Sequence, residues 1–147
     1  MTYCHTQHAP LAKLLFALAV ALGIAAWYSR DQVPVMLTQL GIAATFVVVA
    51  SMFAWLKVSD EGDNLAIRYG PLPVFRKRIP YSSIRSVEAS RSSIIDGWGI
   101  HWVPGRGWTY NLWGFNCAKL TVDGHVLRVG SDDVNNLVDF LQSKIVD

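Results

Sequence analysis

Apolar residues run almost unbroken from Leu14 to Tyr28 and again from Val33 to Leu56, with only Ser29, Arg30, Asp31 and Gln32 between them. Beyond this pair the chain breaks into short alternating stretches punctuated by Gly, Pro, Asp and Asn. The change of period separates long apolar helices from short strands. At about 1.5 Å per residue the second run is about 36 Å long as a helix, enough to cross a hydrocarbon core of about 30 Å with some tilt. The first reaches about 27 Å if it starts at Leu11 and lets Lys13 snorkel to the headgroups. The pattern predicts a tail and a two-helix transmembrane hairpin over 1–56, with spans near 11–28 and 33–56, followed by a water-facing module over 57–147.

Alternation within that module predicts strands over 56–59, 65–69, 75–79, 84–89, 99–103, 108–112, 117–122 and 125–129. Asp123-Gly124 joins the last two as a two-residue hairpin turn, because both positions tolerate φ > 0. The period then changes again: Val134, Leu137, Val138, Leu141 and Ile145 form one helical stripe. Ser131 is the expected N-cap, with Asp132 and Asp133 in the first turn and Lys144 in the last. The expected fold is α+β, an antiparallel β-barrel with this helix plugging its open end. Trp102, which shares a strand face with Ile100, is expected to fill the barrel.

The ends of the hairpin carry orientation signals. Trp27 and Tyr28 close the first run and Trp55 with Lys57 the second, as interfacial markers do. A four-residue turn is too short to translocate a domain, so both termini share one side. Arg30 is offset by Asp31 in the turn, whereas the flanks hold Lys13, Lys57, Arg68, Arg76, Lys77 and Arg78. This asymmetry predicts a multi-pass protein of the cell inner membrane with cytoplasmic N- and C-termini. The competing reading is a cleaved leader, with Lys13 before the apolar core and Gly23-Ile24-Ala25 near its end; the second run would then anchor an inverted module. Two cysteines, Cys4 and Cys117, are too few for a disulfide framework. Ala17, Ala21 and Ala25, and Gly41 with Thr45, are small-residue stripes suited to close helix packing. Gln39 is the least apolar residue of the spans, and the absence of mid-span Asp, Glu, Arg or His removes the usual parts of an ion path.

Charge narrows the chemistry further. The whole chain is only +2, which argues against nucleic acid as a partner. Residues 68–91 nevertheless hold six cations against Glu88 alone. Arg68, Arg76, Lys77 and Arg78 are therefore candidate contacts for anionic lipid headgroups, beside the bilayer itself. The stretch 97–115 interleaves Trp98, Trp102, Trp108, Tyr110, Trp113 and Phe115 with five glycines. Within it Arg106 and Trp108 sit in and just after the turn-prone Pro104-Gly105-Arg106-Gly107, and Trp108 is the candidate exposed anchor for a membrane or cytoplasmic protein. Catalysis has little support: His101 and Asp96 are near in sequence, but no nucleophile elbow, phosphate loop or paired acid motif occurs. Cys4, His5 and His8 lack a fourth metal ligand and lie on a tail expected to be mobile, so no metal, cofactor or enzymatic activity is expected.

Several stretches together carry a resemblance: residues 65–70 (Leu-Ala-Ile-Arg-Tyr-Gly), 78–88 (from Arg78-Ile79-Pro80-Tyr81 to Val87-Glu88), 97–102, 111–114 and 124–130 running into the final helix. In this order, over residues 52–144, the chain resembles the bacterial pleckstrin-homology-like family, often found next to membrane segments. The resemblance implies a PH-like barrel capped by a C-terminal helix and a non-enzymatic role, and it transfers no binding site. The reading is a membrane-anchored binding or assembly module whose ligand is a protein, a peptide or an anionic lipid. Its alternative is a structural subunit of a larger membrane complex that uses the hairpin as its main surface. An enzyme would require a deep polar pocket around His101.

Overall fold

The computed structural model describes residues 2–72 and 74–145. Strand β1 (Cys4–His8) leads into helices α1 (Pro10–Tyr28) and α2 (Val33–Met52). There follow β2 (Trp55–Asp60), β3 (Asn64–Gly70), β4 (Arg76–Pro80), a 3-10 turn (Tyr81–Ser83), β5 (Ile84–Arg91) and a second such turn (Ile94–Asp96). The chain ends with β6 (Gly99–Val103), β7 (Gly107–Asn111), β8 (Asn116–Val122), β9 (His125–Gly130) and α3 (Val134–Ile145). The architecture is α+β: two apolar helices, then two sheets, then a C-terminal helix.

The chain itself leaves most of both helices uncovered. Only 17% and 6% of their most apolar windows are buried. What they do bury is spaced by seven: Ala12, Ala19 and Ala26 on α1, Ala43 and Ala50 on α2. Half-buried Leu15 and Leu22, and Met36, Gln39 and Phe46, fill the intervening positions. This is the a/d seam of two helices packed side by side. The stripes expected to pack are therefore corrected, because Ala17, Ala21, Gly41 and Thr45 are exposed on the outer faces. A heptad seam, rather than a four-residue repeat, selects the contact.

The apolar run read as reaching Leu56 ends as helix at Met52, and Trp55 and Leu56 belong to β2. Leu56 is buried in the core on one face of β2, and a buried strand continues an apolar run without changing its composition. The tail expected to be mobile is strand β1, paired antiparallel with β2 from Cys4↔Ser59 to His8↔Trp55. Its signal is faint because only Tyr3, Gln7 and Ala9 turn inward. Both helices thus join neighbouring strands almost without slack. The Ala9 amide donates to the Ala54 carbonyl (3.1 Å) and the Ala54 amide to Gly70 (3.1 Å).

The first sheet has the order β1-β2-β3-β4 and the second β5-β8-β9-β7-β6. No ladder joins them among the described residues, so the expected closed barrel is not found. Nor is every pair antiparallel: β9 lies between β8 and β7, parallel to β7. The predicted turn between β8 and β9 forms, with φ of 47° at Asp123 and 80° at Gly124. Gly107 permits the parallel neighbour. Its φ is +85°, and a Cβ there would lie 2.0 Å from the Val126 carbonyl oxygen. Helix α3 contacts β5 and β8, burying Leu137, Val138, Phe140 and Leu141. Phe140 stacks on Tyr3 (5.4 Å between centroids) and meets Tyr81 edge-on. The helix therefore fills the space between the sheets on one side, and β4 and β6 remain free edges on the other. Asp132 and Asp133 precede α3 rather than lying in its first turn: Ser131 Oγ accepts from the Asp133 amide (3.0 Å), and Asp133 accepts from Tyr3 and Asn136.

Candidate binding cleft

Strand direction gives the two-sheet module two distinct ends. At the hairpin end, Trp98, Gly99 and Leu112 line one hollow with Leu11, Ala12 and Leu15 of α1 and Val49, Ala50 and Phe53 of α2. Strand β6 starts there at Gly99 and runs away from the helices, so its turn into β7, Pro104 to Arg106, lies at the far end. The far end also holds the Tyr81–Ser83 corner and the Asp123-Gly124 turn, joined by a hydrogen bond from the Asp123 amide to the Ser83 carbonyl (3.1 Å).

Between these turns and the free edge β4 the sheets leave an open cleft of about 770 Å³. Trp102 and Trp108, paired directly across the β6–β7 hairpin, both line it. Lys77 and Arg78 come from β4, Arg106 from the turn and His125 from the start of β9, with Asp123 as the acidic member. The buried Arg128 side chain donates to the Arg106 carbonyl and holds the turn against β9. The cleft is thus lined by aromatic and apolar side chains together with cationic ones.

Trp102 corrects an expectation. Ile100 and Tyr110 pack against the core as alternation requires, and Trp102 shares their face. Trp102 is nevertheless 56% exposed and Trp108 46%, because at this level the space between the sheets is open rather than filled. Trp102 belongs to the candidate site with Trp108. Cross-strand pairing about the Pro-Gly turn is the signal that could have found it. His125 had no comparable signal, since only the folded chain brings β9 to this end.

The cationic candidates divide. Lys77, Arg78 and Arg106 meet at the cleft with Trp108, while Arg76 lines an adjoining hollow of about 240 Å³ with Lys77, Trp108 and Tyr110. Arg68 is outside both, opposite Arg76 on β3. Glu61, just before the β2–β3 turn, pairs with Arg68 and accepts from Arg78 Nε at 2.8 Å; Lys119 pairs with Glu88 at 2.7 Å. The patch is weaker than the local count of charges suggests, because tertiary pairing imports Glu61.

Asp60 anchors the same end. Tyr81 donates to its carboxylate at 2.8 Å, the Gly62 amide at 3.1 Å, and Lys144 of α3 pairs with it at 3.2 Å. Burial alone would raise this carboxyl's pKa, but these donors outweigh it and hold the group below the usual carboxylate range. Burial pushes the pKa values of the Tyr69, Tyr3, Tyr81 and Tyr110 hydroxyls up, so all four stay protonated, and Tyr69, Tyr3 and Tyr81 donate to Asn111, Asp133 and Asp60.

The remaining chemical candidates are scattered. His101 does not line the cleft; its ring lies over Gly97, 3.1 Å from where a Cβ would stand. The side chain of Asp96 lies outside the described residues. Alternation on β1 puts Cys4 and His8 on the face opposite His5, whose ring bonds Asp132 at 2.5 Å. No group of three or more potential metal ligands is found among the described residues. Neither protein-family models nor curated proteins give a match to the chain.

Proposed function

We propose that this protein is a membrane-anchored, non-enzymatic binding or assembly module at the bacterial inner-membrane surface. The hairpin crosses the bilayer, both termini are cytoplasmic, and the far-end cleft takes an acidic, partly aromatic or apolar peptide segment of a protein partner. The observation that carries this reading is the cleft itself: Trp102 and Trp108 offer stacking surfaces of the kind found in interface hot spots, and Lys77, Arg78 and Arg106 line the same cleft. Its position favours a water-borne ligand over the headgroups of the module's own bilayer. Five strand residues at about 3.3 Å each put about 16 Å between the helix bases and the turn bearing Arg106. The pleckstrin-homology-like relationship belongs to the same proposal, supported by two sheets with a C-terminal helix packed between them.

The test uses the full chain in nanodiscs and a fluorescein-labelled peptide of alternating Glu and Trp, followed by anisotropy. Binding that falls about tenfold in Arg106→Glu and weakens with salt supports the site, whereas binding unchanged by Arg106→Glu rejects it. Orientation has its own readout in Cys4, which is exposed. A membrane-impermeant thiol reagent should reach it only in permeabilised cells, and labelling in intact cells would reverse the topology.

A second reading is favoured by the outward-facing Ala17, Ala21, Gly41 and Thr45, which leave room for a third helix to approach in lipid. The protein would then be a structural subunit of a larger membrane complex. In that case bulky replacements at Ala17 and Ala21 would disrupt co-purification of the complex, and changes in the cleft would not.

A further inference from the structure

The hairpin end of the module carries an apolar collar that the binding cleft does not explain. Ile94 and Ile95, in the short turn after β5, are 84% and 73% exposed. Leu72 and Val74 of the β3–β4 connection are also exposed, and the Leu72 amide donates to the Ser51 carbonyl in the last turn of α2 (3.4 Å). Trp98 and Trp113 complete the set, their rings 4.4 Å apart, with Trp98 Nε1 donating to the Gly114 carbonyl. Two independent turns and an aromatic pair thus present large apolar side chains around the helix bases.

Water is a poor neighbour for so many large apolar side chains at one end of the module, and exposed apolar groups that gather at one end mark an interaction surface. Its position identifies the occupant. Trp98 lines a hollow that extends along α1 as far as Leu15, five residues past Pro10, or about 8 Å up the helix axis. A segment that rises beside a spanning helix by that amount lies at the boundary between headgroups and acyl chains. Trp is the residue type enriched there, with an apolar ring and an N–H that needs a partner. Exposed Arg76 and Arg91 begin and end the strands that flank the two turns, where cations meet phosphate.

We propose that the collar formed by Leu72, Val74, Ile94, Ile95, Trp98 and Trp113 is embedded in the interfacial layer of the bilayer crossed by the hairpin. The module is then seated on the membrane in one fixed attitude, and the cleft faces away from it. The inference rests on the hairpin being transmembrane. With both helices joined to β1 and β2 without slack and the collar in lipid, the module has no freedom to swing on a tether.

The test uses the full chain in vesicles of phosphatidylethanolamine and phosphatidylglycerol, with Cys4→Ser and the buried Cys117 kept. An environment-sensitive fluorophore is attached at Ile95→Cys, at Ile42→Cys on an exposed face midway along α2, or at Ser82→Cys at the far end. The label at 95 should be quenched at least twofold more by lipids bearing a spin label high on the acyl chain than the label at 82. The label at 82 should respond to aqueous iodide instead. A label at 95 that behaves like the one at 82, while the label at 42 is quenched by deep spin labels, overturns the collar and leaves the hairpin standing. A label at 42 that is reached by iodide overturns the hairpin and the collar together. Ile94→Ser/Ile95→Ser gives a check independent of labelling at 95: a fluorophore at Val74→Cys should lose at least half its lipid quenching, and unchanged quenching counts against a shared collar.

Discussion

The two ends of the β module use the same residue types for opposite purposes. At the hairpin end two tryptophans, Trp98 and Trp113, pack against each other with their rings tilted by 34°, and the nearby turns offer isoleucine, leucine and valine with few charges. At the far end two other tryptophans, Trp102 and Trp108, stand opposite each other across a hairpin and share their cleft with Lys77, Arg78, Arg106 and His125. Both pairs are partly exposed, so exposure alone does not distinguish them. What differs is the company. Apolar neighbours suit the edge of a bilayer, whereas cations around an aromatic floor suit a ligand that brings negative charge and a ring. The sheets connect the ends: β6 and β7 carry one tryptophan pair or its neighbours at each of their termini, so whatever orients the hairpin end also orients the cleft.

The largest test of that connection is Gly107→Ala. The position combines positive φ with a Cβ contact to backbone that no rotamer change can relieve. It should cost about 3 kcal/mol and lift the β6–β7 tip from β9. Urea unfolding of the solubilised chain measures the cost. A loss below about 0.5 kcal/mol would mean that the parallel β7–β9 contact does not organise the far end.

A smaller effect is expected at Asp60, which ties the far end to α3. Asp60→Asn leaves Lys144 without its carboxylate and should cost about 2 kcal/mol at neutral pH. The sign with pH follows from a carboxyl depressed in the folded state. Its contribution is complete above the unfolded value of about 4 and fades as pH falls through the lower folded value. The gap between wild type and Asp60→Asn should therefore narrow in acid, and a gap that is constant from pH 7 to pH 2.5 would exclude this role.

The smallest stability effect belongs to Trp102→Ala. A barrel-filling Trp would cost about 3 to 5 kcal/mol on truncation, but one that is more than half exposed in an open cleft should cost about 1 kcal/mol. The same variant should weaken the acidic Trp peptide more than it lowers the unfolding midpoint. A large stability loss with unchanged peptide binding would move Trp102 back into the core and leave Trp108 alone in the site.

Local pattern determined much of this molecule. Strand positions from β2 to β9 follow from alternation, the Asp123-Gly124 turn from its φ preferences, and α3 from a stripe whose members all turn inward or lie half-buried. Lys77, Arg78, Arg106 and Trp108 were legible as candidates because charge clusters and turn-flanking aromatics are local features. Three things were not legible, each for a physical reason. Strand β1 is mostly polar and is held by pairing with β2, a contact between residues about fifty positions apart. The hairpin's packing seam depends on which of two small-residue spacings meets the partner helix, and composition permits both. The cleft exists because β9 inserts beside β7 and α3 fills only one side of the sheets, which places Trp102 in the candidate site, and the β2-β3-β4 pairing of the other sheet brings Glu61 to Arg68 and Arg78. Periodicity reports which face of an element is apolar, and only the tertiary structure decided whether that face met protein or was left uncovered.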